Sequence, residues 1–403
     1  MRLRSVRILA ALAVASGTAG LASVVATTTQ AQADPASVTA FNGVGADVTQ
    51  DLYNAFAGAA PDPGEGATHF YTPVDSSAAS GSYTIQSFDA DPQGGTTVSP
   101  GGIITKAGGP YFDRPNSSGA GTQALQDSVT GTLWENSTGD VAGPVSVTGQ
   151  IDFARTAKGV TTSGTELTWI PFARDALGVL YYANGTTALE NLTTAELNGL
   201  YSSGTGTASI DGQTVTACLP ISTSSPVTNL VNAIGVTKTQ AEAAATASGC
   251  NTNIQQNSGN AFLQGLPSGV KYAVIPISSG SWIGQANGVG YDRSATARAD
   301  GVDLASITDG SNNLGQPYTG TAPSEVPSTT YYQSSSYGYN ISTVVPTQSI
   351  TGNFSNAALV SLFVGSGSTL CSTAAQSTAH TFGFDSLTSG EGTCGSTTLE
   401  GNN

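Results

Sequence analysis

The stretch Arg114-Pro115-Asn116-Ser117-Ser118-Gly119-Ala120-Gly121 constrains this chain more than any other. An arginine comes first, two hydroxyls and two glycines follow, and Thr122-Gln123-Ala124-Leu125 can then carry a helix. A turn that opens a helix in this way presents Ser hydroxyls and free backbone N–H groups at the positive end of the helix dipole. That arrangement suits an oxyanion. Asp113 precedes the turn, and a second arginine segment, Ile151-Asp152-Phe153-Ala154-Arg155, follows it.

Around this turn, short apolar runs alternate with helix-length segments. Ser37 to Phe41 reads as a strand, Gly43 to Asp47 as a turn, and Val48 to Ala57 as a helix that Asp47 can cap, with Leu52, Tyr53 and Phe56 on one face. Tyr83 to Phe88 alternates like a half-buried strand, and 121–130 reads as helical. Val147 to Phe153, Thr165 to Phe172, Leu177 to Tyr182 and Tyr272 to Ile277 are further strands. Thr193 with Glu196 three residues on is a capping box opening a helix to Tyr201, and Pro226 to Gly235 and Lys238 to Ser248 are two more helices. Asn312 to Gln333 is rich in turn formers and reads as a long surface loop. Strands alternating with helices predict the α/β class with parallel sheets. Ligands of such sheets bind where strand C-terminal ends run into helix N-termini. The turns at Gly43–Val48, Arg114–Gly121 and Phe153–Lys158 have that position and can converge on one cleft.

Arg2, Arg4 and Arg7, an apolar run from Ile8 to about Val25, and Ala31-Gln32-Ala33 form a secretion signal with cleavage after Ala33. No Cys near that point offers a lipid anchor. Cleavage takes three of the 12 basic residues and none of the 27 acidic ones, leaving nine against 27, a net −18. Such a charge argues against nucleic acid and anionic membranes as partners. Four cysteines in a secreted chain predict two disulfides, and of the three pairings the local ones, Cys218–Cys250 and Cys371–Cys394, are favoured. His69 and His380 are isolated in sequence and no CxxC occurs, so neither a metal nor a cofactor is expected. No Gly-x-Ser-x-Gly elbow or Ser–His pairing is seen, so the chain is not read as an enzyme. About 370 mature residues exceed one ordinary core, which predicts two lobes.

In their order, these segments resemble the phosphate-type solute-binding proteins of ABC transporters in their actinobacterial form: Gly43 to Asp51, Arg114 to Gly121, Ile151 to Arg155, Ile170 to Ala176, Leu192 to Leu197 with Tyr201, Leu219-Pro220, Pro276 to Asn287, Tyr291-Asp292-Arg293, Tyr339 to Pro346 and Gly365 to Gly395. The resemblance implies a two-lobed periplasmic-binding-protein type II fold with a ligand cleft between the lobes. Two apolar crossing strands, Trp169–Phe172 and Val274–Ile277, would set lobe one at 34–172 and 276–403 and lobe two at 175–275. It implies a monomer that captures phosphate or another oxyanion for an ABC transporter permease. The expected ligand contacts are Arg114, Ser117, Ser118, Gly119 and Arg155, with Asp47 and Ser224 secondary. An ion pair to Asp152 or Asp175 is the structural alternative for Arg155. Trp282 and Tyr201 are expected in the core, and Arg174 in a hinge strand. The chain departs from the family pattern in two places. Val48 stands where a ligand-facing hydroxyl is usual. Ser224-Ser225-Pro226-Val227 replaces the Ser-Gly-Thr turn and its Arg, and Pro226 removes an N–H donor. These losses make a degenerate relative, acting as a secreted or cell-surface interaction protein without small-anion binding, the competing expectation.

Overall fold

The computed structural model describes residues 40–62, 70–76, 82–91, 101–135, 141–250, 254–388 and 392–403. The expected secretion signal at 1–33 and His69 lie outside the described residues. A ten-stranded sheet organises the chain. Its strands are β1 (Ala40–Gly45), β2 (Thr84–Ser87), β3 (Phe153–Thr156), β4 (Thr162–Tyr182), β5 (Thr207–Ile210), β6 (Gln213–Ala217), β7 (Ala273–Ser278), β8 (Asp303–Leu304), β9 (Gly338–Pro346) and β10 (Leu399–Asn402). The order is β5-β6-β7-β4-β9-β3-β1-β2, with β8 and β10 also paired to β4. The sheet is mixed rather than parallel throughout. β1 runs parallel to β2 and β3, and β6 to β7, while every pairing of β4 is antiparallel. Helices used below are α1 (Gln50–Phe56), α2 (Ser118–Thr130), α3 (Thr194–Ser202), α4 (Ser225–Ile234), α5 (Lys238–Ala247), α6 (Ser279–Ala286) and α7 (Thr373–Thr381).

The strand readings at 165–172 and 177–182 are one continuous strand, β4. From Leu167 to Leu180 it is buried residue after residue, as a strand covered on both faces must be. Its first part pairs with β9 and β10, and its last six residues pair with β7. The apolar core divides along it. Phe41, Tyr53, Phe56, Phe153 and Phe172 pack around the first part, and Leu177, Val179, Leu197, Leu230 and Val274 around the second. We call these the first and second halves of the sheet. Val274–Ile277 lies in β7, against Tyr181 to Gly178 of β4. The core it joins also takes Ile307, Tyr331, Tyr332 and Tyr337, so the chain packs with the middle segment well beyond residue 275. It pairs with the first part of β4 in β9, Gly338–Pro346.

Asp175 sits where the two parts of β4 meet. Its buried carboxylate accepts from Ala176 N, Ser278 Oγ, Gly280 N and Tyr339 OH. Two of these donors belong to β7 and the first turn of α6, so a single carboxylate ties that helix N-terminus to the central strand, where its charge is favourable. Arg174 is held by Tyr332 O, Asn340 Oδ1 at 2.9 Å and Ser334 O at 3.2 Å, a packing role at the strand junction. Trp282 and Tyr201 are core residues, with Tyr201 OH donating to Cys218 O. The capping box of Thr193 and Glu196 opens α3 as the spacing predicts. The expected loop at 312–333 instead holds the short strands Asn312–Gly315, Tyr318–Thr319 and Val326–Pro327 and a helical turn, Thr329–Tyr332. Its buried tyrosines, Tyr331 and Tyr332, outweigh its turn-forming composition.

Both disulfides are the local ones, Cys218–Cys250 and Cys371–Cys394. The second closes a loop across a sequence separation of 23 residues and tethers the α7 region. Replacing Cys371 and Cys394 by alanine is expected to cost about 3 kcal/mol of stability, the chain-entropy value for a loop of this size. Urea denaturation of the oxidised protein and the double variant measures it. A loss below about 1 kcal/mol would mean that packing around Leu370 already confines this segment.

Candidate functional site

The three turns picked out in the sequence meet at one edge of the sheet. β1 and β3 are parallel neighbours, so their C-terminal ends, Gly45-Ala46-Asp47 and Arg155-Thr156-Ala157, emerge side by side. Gly45 is bridged to Asn116 just before α2. The approach is close enough to require glycine on both sides. A Cβ on Gly121 would lie 2.3 Å from the Gly45 Cα, and Gly45 has φ +116°. α2 therefore starts directly over the strand ends. Ser117 caps it, accepting from Ala120 N at 3.2 Å. Its backbone, φ 115° and ψ 165°, occupies a region otherwise almost reserved for glycine. Strain of this kind is about 1–3 kcal/mol and concentrates at functional turns. Ser118 Oγ accepts from Ala157 N at 3.0 Å, joining the second and third turns.

The second half faces this edge. A Cβ on Gly119 would lie 3.5 Å from the Thr223 carbonyl, so the first turn of α2 abuts the segment that leads into α4. Ser224 caps α4, accepting from Val227 N, and Pro226 lies in its first turn. Ser225 Oγ is buried with no hydrogen-bond partner among the described residues. Asn229 Nδ2 reaches across to Ala157 O at 3.4 Å.

Two predicted contacts do other work. Arg155 is fully buried, and all five of its N–H groups are spent within the first half. Nε donates to Ala46 O, Nη1 to Gly43 O and Ser87 Oγ, and Nη2 to Gly45 O and Phe88 O. It pairs with neither Asp152, which binds Lys106, nor Asp175. Burial, unrelieved by a contacting carboxylate, lowers its pKa to about 10. Arg155 is a staple for the β1 and β2 ends, with no donor left for a ligand. Asp47 does not cap α1; it begins a short 3-10 turn with no capping bond. Its carboxylate instead receives the side-chain amides of Gln255 and Gln256 from the second half, while Asn257 Nδ2 donates to its backbone carbonyl. Gln255 Oε1 also accepts from Asn116 Nδ2 at 3.2 Å. Arg114 Nη1 donates to Asp89 O at 2.6 Å and is largely buried.

Sequence reasoning missed the amide run Gln255-Gln256-Asn257 and the charge cluster behind it. Arg293, nearly buried, bonds Asp91 at 3.1 Å and Asp51 at 3.0 Å, so a guanidinium of the second half joins two carboxylates of the first. Gln50 holds the Asp91 backbone at both its N–H and its carbonyl. Burial, then repulsion from Asp91, lifts the Asp47 pKa to about 8. Burial lifts Asp91 to about 7 against the pull of Arg293. The only sequence signal was three consecutive amide side chains in a chain with few charges, a pattern that also suits an exposed turn. Among the described residues no group of His, Cys, Asp and Glu could hold a metal ion.

No protein-family model matches the chain, and no curated protein matches it. Among solved structures it is similar to an ABC-type phosphate transport receptor from Vibrio cholerae, at 13% identity over 86% of this chain and 100% of that one with a TM-score of 0.43. It is also similar to PstS from Borrelia burgdorferi, at 11% identity over 87% and 100% with a TM-score of 0.39. A third is a phosphate-binding protein from Stenotrophomonas maltophilia, at 12% identity over 87% and 91% with a TM-score of 0.40.

Proposed function

We propose that this chain is a secreted solute-binding protein that takes phosphate or a related oxyanion where the two halves of its sheet meet, and that it serves an ABC permease as a monomer. The observation that carries this reading is the convergence of helix starts from opposite halves. The strained Ser117 and the first turn of α2 lie against the segment that opens α4, above the C-terminal ends of β1 and β3. Two helix N-termini and their hydroxyls are the natural holders of a dehydrated anion. With Arg155 committed to backbone carbonyls, Arg114 is the guanidinium nearest the turn in sequence, and the anion loses one charge-assisted contact. Such a contact is worth roughly 1.5–3 kcal/mol. Phosphate is therefore expected to bind in the micromolar range or weaker. Calorimetry of the mature protein with phosphate and sulfate tests this, and Arg114→Ala and Ser118→Ala should each weaken binding about tenfold or more.

A second reading has its own observation. Gln255 and Gln256 of the second half already occupy the Asp47 carboxylate, so the deep centre is sealed by the chain itself. This supports an interaction protein without small-anion binding. No heat with any oxyanion at millimolar concentration decides for it.

A further inference from the structure

Outside the sealed centre, the two halves leave a cavity of about 350 Å³. The first turn of α2 borders it at Gly119 and Ala120, and Thr223 and Thr228 border it from the second half. Lys158 follows the third turn, and Lys238 is the first residue of α5. Both line the cavity, and Glu135 is the single acidic side chain among the described residues of the lining. The placement is unusual for this molecule, since the mature chain carries nine cations against 27 acidic residues. The others for which the structure gives an acidic partner are bound elsewhere: Lys106 to Asp152, Arg293 to Asp51 and Asp91, Arg298 to Asp292. Lys158 has no ion pair among the described residues. Lys238 makes only an exposed contact to Glu242 at 3.8 Å, which contributes little. Both ammonium groups face one cavity, and burial and the neighbouring Lys238 charge lower the Lys158 pKa. Two like charges held near one another in an acidic protein are relieved by an anion between them.

We propose that this cavity is a binding site for a small hydroxylated organic anion of the sugar-phosphate class, with Lys158 and Lys238 taking the charged group and the hydroxyl- and amide-bearing walls taking the rest. The size argues for an organic ligand. The volume lies at the low end of small-molecule sites and exceeds what a bare tetrahedral anion fills. Thr223, Thr228 and Gln123 give the walls polar atoms to orient hydroxyls. Because each half supplies one lysine, the ligand would also bridge the halves. The cavity adjoins the meeting point of α2 and the α4 segment that carries the proposed oxyanion reading, at Gly119 and Thr223, but it draws its charge from Lys158 and Lys238, which that reading does not use.

The test is calorimetry of the mature protein at low salt with glucose 6-phosphate, and with glucose and inorganic phosphate as comparison arms. Glucose 6-phosphate is expected to bind at least tenfold more tightly than either. Lys158→Gln and Lys238→Gln should each weaken it about tenfold, and the pair more. Raising salt should weaken it further by screening. Both lysines reach solvent, so circular dichroism and melting of the variants should match the parent. No glucose 6-phosphate binding at millimolar concentration overturns the site. So does binding that the double variant keeps. Inorganic phosphate that binds as tightly as glucose 6-phosphate and is weakened equally by the Lys158→Gln/Lys238→Gln pair overturns the ligand class, whereas phosphate binding that the pair leaves unchanged belongs to the neighbouring Ser118 turn.

Discussion

Arg155→Ala is expected to destabilise the protein by about 4 kcal/mol, among the largest losses a single substitution can cause. Two effects oppose each other. Removing a buried guanidinium that touches no carboxylate relieves its desolvation cost, which is several kcal/mol per ion. Against this, five acceptors lose a charge-assisted donor at once: the carbonyls of Gly43, Gly45, Ala46 and Phe88, and Ser87 Oγ. Each such bond contributes roughly 1.5–3 kcal/mol, and a stranded buried acceptor costs about 1–3 kcal/mol. Gly43 O keeps a second donor, Phe88 N, and water can enter the space the side chain leaves. The loss is therefore well below the sum, but the acceptors win. Arg155→Lys is not expected to rescue it, because one ammonium with three donors cannot span acceptors set around a planar fork. Equilibrium urea unfolding at neutral pH measures both variants. A loss below about 1 kcal/mol for Arg155→Ala would show that these carbonyls are served without the guanidinium.

The same residue shows where sequence reading succeeds and where it stops. Arg155 was singled out as a ligand contact, because an arginine at a strand end in a cation-poor chain is seldom decoration. Its partners in the structure were not legible, since four of the five are backbone carbonyls, which carry no sequence signal, and the fifth is Ser87 Oγ, one hydroxyl among many. The convergence of the three turns was legible, because parallel strands put their C-terminal ends on one edge. Ser117 and Ser118 followed from their place before a helix. Local spacing also fixed the Thr193–Glu196 capping box. The Gln255–Asn257 run was lost because its role depends on the second half docking onto Asp47, some 208 residues away in the chain. Arg293 was visible only as part of a motif, and its two carboxylates, Asp51 and Asp91, come from separate segments of the first half. The reading of 312–333 as a surface loop failed for a related reason. Tyr331 and Tyr332 sit among Ser, Gly and Pro, and composition outvoted two aromatic rings that are fully buried.

Folding stability is expected to fall by about 4 kcal/mol between pH 5 and pH 8, the reverse of a protein held together by low-pKa ion pairs. The carboxylates at the junction of the halves set the sign. Asp47 is lifted to about 8 and Asp91 to about 7 in the folded state, chiefly by burial. Asp51 is raised for the same reason, and Asp175 to about 6. In the unfolded chain all four titrate near pH 4. Between these limits the folded state holds more protons than the unfolded one. The stability these groups contribute is therefore fully present below about pH 4 and is lost as pH rises through the folded values. One such group changes stability by about 1.4 kcal/mol per pH unit. Above pH 5 Asp91 loses its proton over about two units and Asp47 over about three, an upper bound of about 7 kcal/mol that relaxation and water entry on charging reduce. The acidic excess, a net charge of −15 over the full sequence, adds self-repulsion in the same direction. Unfolding by urea at pH 5, 6.5 and 8 gives the profile. Asp47→Asn should flatten it and raise stability at pH 8. The amide needs no proton, it can accept from Gln255, and it can donate to Gln256 Oε1, which has no partner among the described residues. Stability that rises from pH 5 to pH 8, or an Asp47→Asn profile as steep as the parent's, would place the charged carboxylate rather than the protonated one at the junction of the two halves.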